Sequence, residues 1–194
     1  RDVERSRGLG DVYKRQGNSR FTFITENLVR MEYANHQKFL DDSTLFAVNR
    51  QAGNVDVKVE KKDGKYIFST SMMSVEFEND GFPFGQNNVR VSFEMDGKRK
   101  SWCMTDEQRN NLGGAITTLD AIGSPIPLQE GLLSRDGWYL INDTGKDVYK
   151  NGWLSVRDRD HVQDLYLFVY VNDYKSALRS LKAISGAVPM TRKY

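Results

Sequence analysis

The sequence has little of what several classes of protein require. Of its 194 residues, one is cysteine and two are histidine. The single cysteine, Cys103, cannot form an internal disulfide, and no CxxC pair or histidine cluster predicts a metal site. We therefore read Cys103 as a small, partly buried apolar residue, and we expect neither a metal nor another cofactor.

Long apolar runs and an excess of one charge are also missing. No run of about 18 apolar residues is present to span a bilayer. The chain has 28 Lys and Arg residues against 26 Asp and Glu residues, a net charge of +2. Outside the first 20 residues no basic stripe with interleaved aromatic residues occurs, so nucleic-acid binding has little support. We expect no membrane span and no nucleic-acid partner.

The first 20 residues differ in composition from all that follow. They are rich in arginine and show no apolar periodicity. A secretory signal peptide would need an apolar core of about 7 to 15 residues, which this segment lacks. We interpret residues 1–19 as a disordered or artefactual basic leader. The compartment of the protein is left open.

From residue 20 onwards, short runs of alternating apolar and polar residues are separated by turn residues. Turns at spacings of about 8 to 12 residues are typical of an antiparallel β-sandwich. We predict an all-β domain over residues 20–172. The expected strands cover residues 21–33 with a turn or bulge at 26–27, then 44–49, 55–60, 65–70, 73–78, 89–95, 132–134, 138–142, 153–156 and 165–171.

One helix is predicted after the last strand. In residues 173–185 the apolar positions recur on one face, Asp173 stands near the start, and Gly186 follows the last periodic residue. Residues 173–194 are therefore assigned as this helix and a linker.

The stretch 111–144 is the best candidate for a functional site. It contains a glycine pair and then the corner Ser-Arg-Asp-Gly-Trp, in which Gly137 allows a tight turn beside an aromatic residue. A carboxylate such as Asp136 can accept hydrogen bonds from sugar hydroxyls, and an indole such as Trp138 can pack on the apolar face of a sugar ring. The alternative is a surface turn with a local ion pair to Arg135, or a turn in which Asp136 accepts from the amide of Trp138.

Three ordered segments resemble one known family. They are NLGGAITTLD (111–120), PIPLQEGLLSRDGWYLINDT (125–144) and LYLFVYVNDYKSALRSLKAISGAVPMTRKY (165–194). Together they are similar to the N-terminal region of glycoside hydrolase family 31, the α-glucosidase and α-xylosidase family. The resemblance implies a galactose-mutarotase-like β-sandwich whose C-terminal helix leads towards a catalytic (β/α)₈ barrel that these residues do not contain.

The resemblance also implies a function. Family 31 enzymes hydrolyse α-glycosidic bonds of oligosaccharides by a retaining mechanism, which needs two carboxyl groups about 5 to 5.5 Å apart. Both would lie on the barrel, so no catalytic residue is assigned here. The expected substrate-binding residues are Asp136, Arg135 and Trp138, with Asp120 and Asp143 as structural runners-up. The expected partners are an oligosaccharide or α-glycoside substrate and the catalytic barrel of the same chain.

A second hypothesis is a free-standing, non-catalytic carbohydrate-binding β-sandwich. Trp102, Trp138 or Trp153 would then serve as stacking platforms for sugar rings. The predicted helix at 173–185 favours the first hypothesis, because a sandwich that feeds a barrel needs a connecting element and a self-contained module does not.

Overall fold

The computed structural model describes residues 13–51, 53–115, 120–121 and 123–187. Within these residues the chain forms antiparallel strands and one α-helix. The elements are β1 (Tyr13–Gln16), β2 (Ser19–Thr25), β3 (Leu28–Ala34), β4 (Ser43–Thr44), β5 (Lys58–Lys62), β6 (Lys65–Ser69), β7 (Met73–Phe77), β8 (Val89–Met95), β9 (Lys98–Cys103), β10 (Tyr139–Asn142), β11 (Val148–Lys150), β12 (Trp153–Ser155), β13 (His161–Phe168) and α1 (Tyr174–Ser185).

Two five-stranded sheets face each other across the main core. The first sheet has the strand order β1-β2-β3-β13-β10, and the second is the meander β5-β6-β7-β8-β9. Phe21 of the first sheet lies against Phe68 of the second, with ring centroids 5.0 Å apart. Val29 and Val91 are fully buried in the same core. The predicted antiparallel β-sandwich is confirmed.

Tight turns set the register of the second sheet. Asp63-Gly64 joins β5 to β6, and Asp96-Gly97 joins β8 to β9. All four residues have positive φ, from 51° at Asp63 to 81° at Gly64. Two consecutive residues of positive φ form the turn that matches the twist of a two-residue hairpin, and Asp-Gly is a favoured sequence for it.

A third layer covers the outer face of the first sheet. It consists of the small sheet β12-β11-β4, the segment 45–50 and α1. Ala177 and Ile184 of α1 are buried against Leu28 and Tyr166 of the first sheet. Every residue of β3 is consequently buried. This double coverage places polar side chains of the first sheet in the interior.

The single helix begins and ends close to its predicted positions. Asp173 accepts a hydrogen bond from the amide of Ser176 at 3.1 Å, which satisfies one free N–H of the first turn. The amide of Gly186 donates to the carbonyl of Lys182 and closes the last turn. The helix prediction is confirmed.

Several boundaries predicted from the sequence are wrong. The strand expected at 44–49 ends after Thr44, because the Thr44 hydroxyl and amide bond to Ala47 and turn the chain. Residues 132–134 do not form a strand. Ser134 makes an isolated antiparallel bridge with Asn111. The last strand runs over His161–Phe168 instead of 165–171. The sequence reading also missed β9 and β11, whose exposed basic or polar residues hide the alternation.

The predicted leader also needs correction. Tyr13–Gln16 form the edge strand β1, which pairs with Ser19–Thr22 of β2, so the sheet extends well before residue 20. Main-chain hydrogen bonds attach this edge strand to β2. Such bonds do not require an alternation of apolar side chains, so the sequence pattern did not predict the strand. Residues 1–12 lie outside the described part of the chain, as do residues 188–194 of the predicted linker.

Candidate functional site

A long excursion between β9 and β10 brings two of the family-like segments together. The amide of Leu112 donates to the carbonyl of Leu133 at 2.9 Å. Gly114 and Gln129 exchange two main-chain hydrogen bonds of 2.9 and 3.0 Å. We call the described residues within 110–135 the paired arm. The NLGG and LLSRDGW sequences are thus the two sides of one hydrogen-bonded structure.

The side chain of Asn111 ties the two sides of the paired arm. Its Oδ1 accepts from the amides of Gly113 and Gly131, both at 2.9 Å, and its Nδ2 donates to the carbonyl of Gly131 at 2.8 Å. The amide side chain exchanges both hydrogen bonds with Gly131, as a neighbouring strand would. Asn111 therefore keeps the two glycine-containing sides of the arm together.

Asp136 closes the base of the paired arm. Its Oδ2 accepts from the amides of Arg109 and Asn110 at 2.7 and 2.9 Å and from the hydroxyl of Ser134 at 3.3 Å. Its Oδ1 accepts from Nδ2 of Asn110 at 2.7 Å. Partial burial alone would raise the pKa of Asp136, but the hydrogen bonds from Asn110 and Arg109 outweigh it and hold the pKa below its usual value. The carboxylate is charged at neutral pH.

The other two predicted site residues have different roles in the geometry. Arg135 is exposed, and its side chain contributes none of the hydrogen bonds that the structure gives Asp136. The alternative of a local ion pair between Arg135 and Asp136 is therefore wrong, because the carboxylate accepts from Arg109, Asn110 and Ser134 instead. Trp138 is half-buried and packs on the buried Trp102, with ring centroids 6.0 Å apart.

Gly137 explains why the corner can be so tight. Its φ is +85°, and a Cβ atom there would lie 2.9 Å from Sδ of Met95 and 3.2 Å from Phe93. Its carbonyl accepts from the amide of Val171 at 3.0 Å, which ties the corner to the chain after β13. The corner is thereby fixed on the end of the sandwich core.

The three tryptophans differ in exposure. Trp102 is 1% exposed, so the hypothesis that it serves as a stacking platform is wrong. Trp153, on the edge strand β12, is 77% exposed. Of the three indoles, Trp153 alone presents most of its surface to solvent.

A second arrangement was not predicted from the sequence. Eight charged or titratable side chains meet on the outer face of the first sheet, none more than 6% exposed. We call them the buried ion cluster. Its members are Arg20, Arg30, Glu32, Arg50, Asp143, Arg157, His161 and Asp164.

Asp164 lies at the centre of the buried ion cluster. Its Oδ1 accepts from Nε of Arg30 at 2.8 Å, and its Oδ2 accepts from Arg50 and Arg157, both at 2.9 Å. Burial would raise the pKa of Asp164, but the Arg30 and Arg50 guanidinium groups outweigh it and hold the pKa well below its usual range. A charged group that is fully buried needs such partners, because the cost of leaving it unpaired is large.

Asp143, a secondary candidate from the sequence for substrate contact, belongs to the buried ion cluster. Its Oδ2 accepts from Thr44, Arg50 and Arg157 at 2.8, 2.8 and 3.1 Å. Its role is structural, since it is 1% exposed and bound on three sides. Asp120, the other runner-up, lies exposed in the paired arm.

A sequence signal for the buried ion cluster does exist. Arg20, Arg30, Glu32 and Asp164 lie in β2, β3 and β13, and Arg30 and Glu32 alternate with apolar residues. Acidic and basic residues at such positions are expected either on a solvent-exposed face of a sheet or in a buried network of ion pairs. The sequence pattern does not distinguish these two arrangements. The described residues contain no group of three His, Cys, Asp or Glu side chains that could hold a metal ion.

Comparison with known proteins adds no assignment. Neither a protein-family model nor a curated protein sequence matches this chain. No helix in the described part of the chain is long and apolar enough to cross a membrane.

Proposed function

We propose that this chain is the non-catalytic β-sandwich domain of an α-glycosidase of family 31, and that the paired arm helps to form the sugar pocket of the whole enzyme. The observation that carries the proposal is the closure of the arm by Asp136, which joins the two family-like segments into one structure. An ordered arm at the edge of a rigid scaffold is a common way to present a binding site.

Asp136 retains capacity for a substrate. A carboxylate oxygen can accept about two hydrogen bonds, and Oδ1 of Asp136 accepts one, from Asn110. One acceptor position is therefore left for a sugar hydroxyl. Asn110 would orient the carboxylate. Trp138, which packs on the buried Trp102, would hold the corner in place on the sandwich.

No residue of this chain is assigned to the bond-breaking step. The buried carboxylates Glu32, Asp143 and Asp164 are paired with arginine and closed off from solvent. We propose that a separate catalytic domain supplies both carboxyl groups and that the sandwich contributes to substrate selection.

A carbohydrate-binding module is the second candidate, and one observation favours it. Trp153 is 77% exposed on β12, where its ring could stack on a sugar. The two candidates therefore place sugar contacts on different residues, Asp136 and Trp153.

A titration with maltose, followed by amide chemical shifts, separates the two candidates. The first candidate expects shift changes at residues 109–111 and 134–138 that disappear in Asp136→Asn and persist in Trp153→Ala. The module hypothesis expects the reverse pattern, with changes near β12 that only Trp153→Ala abolishes. Absence of any change in the unsubstituted chain would contradict sugar binding by this domain.

The natural reading frame after Tyr194 tests the larger proposal. A frame that continues into a (β/α)₈ barrel with carboxylates at its strand ends supports the glycosidase assignment. A stop codon directly after Tyr194 would refute it.

A further inference from the structure

His161 holds a hydrogen bond on each ring nitrogen. Its Nε2 lies 3.0 Å from Oε1 of Glu32, and its Nδ1 lies 3.2 Å from Nη1 of Arg157. A guanidinium group can only donate, so Nδ1 must be the acceptor. The ring proton is then on Nε2 and is donated to Glu32. The contacts define one neutral tautomer of His161.

Among the described residues, the charges around His161 balance only when this ring is neutral. Four arginines of the buried ion cluster face three buried carboxylates, and Asp41 at the rim pairs with Arg20 at 2.8 Å. A proton on His161 would add a positive charge for which the cluster has no partner. It would also place an N–H of His161 against the N–H of Arg157.

Arg157 fastens both ends of the β11–β12 hairpin. Its Nη2 donates to Asp143 at 3.1 Å and its Nε donates to the carbonyl of Lys146 at 2.9 Å, and both of these residues precede β11. Arg157 itself follows β12, and its Nη1 donates to Asp164 in the first sheet at 2.9 Å. Because the guanidinium is planar and rigid, a displacement of Nη1 moves the other donors with it.

We propose that His161 is an acid-sensitive latch for the β11–β12 hairpin. Binding of a proton from water to Nδ1 removes one of the four acceptors of Arg157, and the repulsion between the two cations pushes the guanidinium from its site. The hairpin, with its exposed Trp153 and Leu154, then separates locally from the first sheet. The titratable and charged groups that face His161 from the packed elements are Arg20, Arg30, Glu32, Arg50, Asp143, Arg157, Asp164 and Tyr166.

Hydrogen exchange measured by mass spectrometry at about pH 7.5 and about pH 5.5 tests the latch. After correction for the intrinsic exchange rate, the amides of residues 144–157 should exchange at least about tenfold faster at the lower pH. This is the factor expected when one charge-assisted hydrogen bond is lost. The strands β3 and β7 should not change. Equal protection of the hairpin at both pH values would overturn the proposal.

Two histidine variants identify the responsible group. His161→Gln cannot take up a proton but can still accept and donate, so it should keep the hairpin protected at both pH values. His36→Gln is the matched control, because His36 is the only other histidine and its side chain is 78% exposed. It should retain the pH response, and loss of the response in this variant would count against His161.

Nitrogen chemical shifts of the imidazole provide a measurement that does not depend on any variant. At the higher pH, Nδ1 of His161 should show the shift of an unprotonated nitrogen. A protonated Nδ1 at that pH overturns the proposal, and so does opening of the hairpin while His161 stays neutral. Protonation of His161 without opening of the hairpin would also overturn the proposal.

Discussion

Replacement of Asp164 with asparagine should lower the free energy of unfolding by about 3 to 5 kcal/mol, the usual cost of breaking a buried ion pair. The substitution keeps the volume of the side chain and removes its charge. Arg30, Arg50 and Arg157 all donate to this carboxylate, and its side chain is 0% exposed. In either orientation, the amide nitrogen of asparagine would face guanidinium hydrogens, which can only donate.

Urea unfolding at neutral pH measures this loss. Tryptophan fluorescence follows the tertiary structure and far-UV circular dichroism follows the strands, so coincident transitions would justify a two-state treatment. Asp160→Asn is the control, since Asp160 lies four residues away and pairs with the exposed Lys38 at 2.5 Å. That variant should unfold like the original chain. A loss below about 1 kcal/mol in Asp164→Asn, the size of an exposed ion pair, would refute the reasoning.

The pH dependence of stability follows from the lowered pKa of Asp164. In the unfolded chain an aspartate titrates near its ordinary pKa of about 3.9. In the folded chain the arginines hold the pKa well below that value. The stabilisation is therefore present above about pH 4 and is lost as the pH falls towards the folded pKa. Asp164→Asn should flatten this acid limb of the stability curve.

Three further predictions concern the corner and the tryptophans. Gly137→Ala should destabilise the chain by more than about 1 kcal/mol in urea unfolding, because φ is positive and Met95 lies 2.9 Å from the new Cβ. Trp102→Ala should cost about 3 to 5 kcal/mol, whereas Trp153→Ala, at an exposed site, should leave the midpoint within about 0.5 kcal/mol of the original. Asp136→Asn should speed amide exchange at residues 109–111 while β8 keeps its protection, and unchanged exchange there would contradict the closure of the arm.

Local patterns in the sequence were enough for much of the second sheet and for the helix. Residues 65–69, 73–77 and 89–95 alternate with period two, because one face of this meander packs on the core and the other faces water. The helix has an apolar face, an aspartate cap and a terminal glycine, which are all short-range signals. These features depend on neighbours in the chain, so the sequence displays them directly.

In the first sheet the same alternation did not predict which side chains are buried, because both faces of that sheet are covered. Arg30 and Glu32 of β3 look like solvated positions in an alternating strand, yet both are 0% exposed. The third layer buries them, and that layer comes from segments far away in the sequence. Thr44 contacts Asp143 across 99 positions, and Arg30 contacts Asp164 across 134.

For the candidate site, residues close together in the chain were enough to predict the corner, since Gly137 and the Ser-Arg-Asp run specify a tight polar turn. It also predicted correctly that an indole would lie beside the corner. The partners of Asp136 depend on the tertiary fold, because its donors, Arg109 and Asn110, are 27 and 26 positions away. The same holds for His161, whose tautomer depends on an arginine in a loop and a glutamate 129 positions away. The hydrogen-bond partners of a side chain depend on which groups lie close to it in the folded chain. Local residue patterns do not predict those long-range contacts.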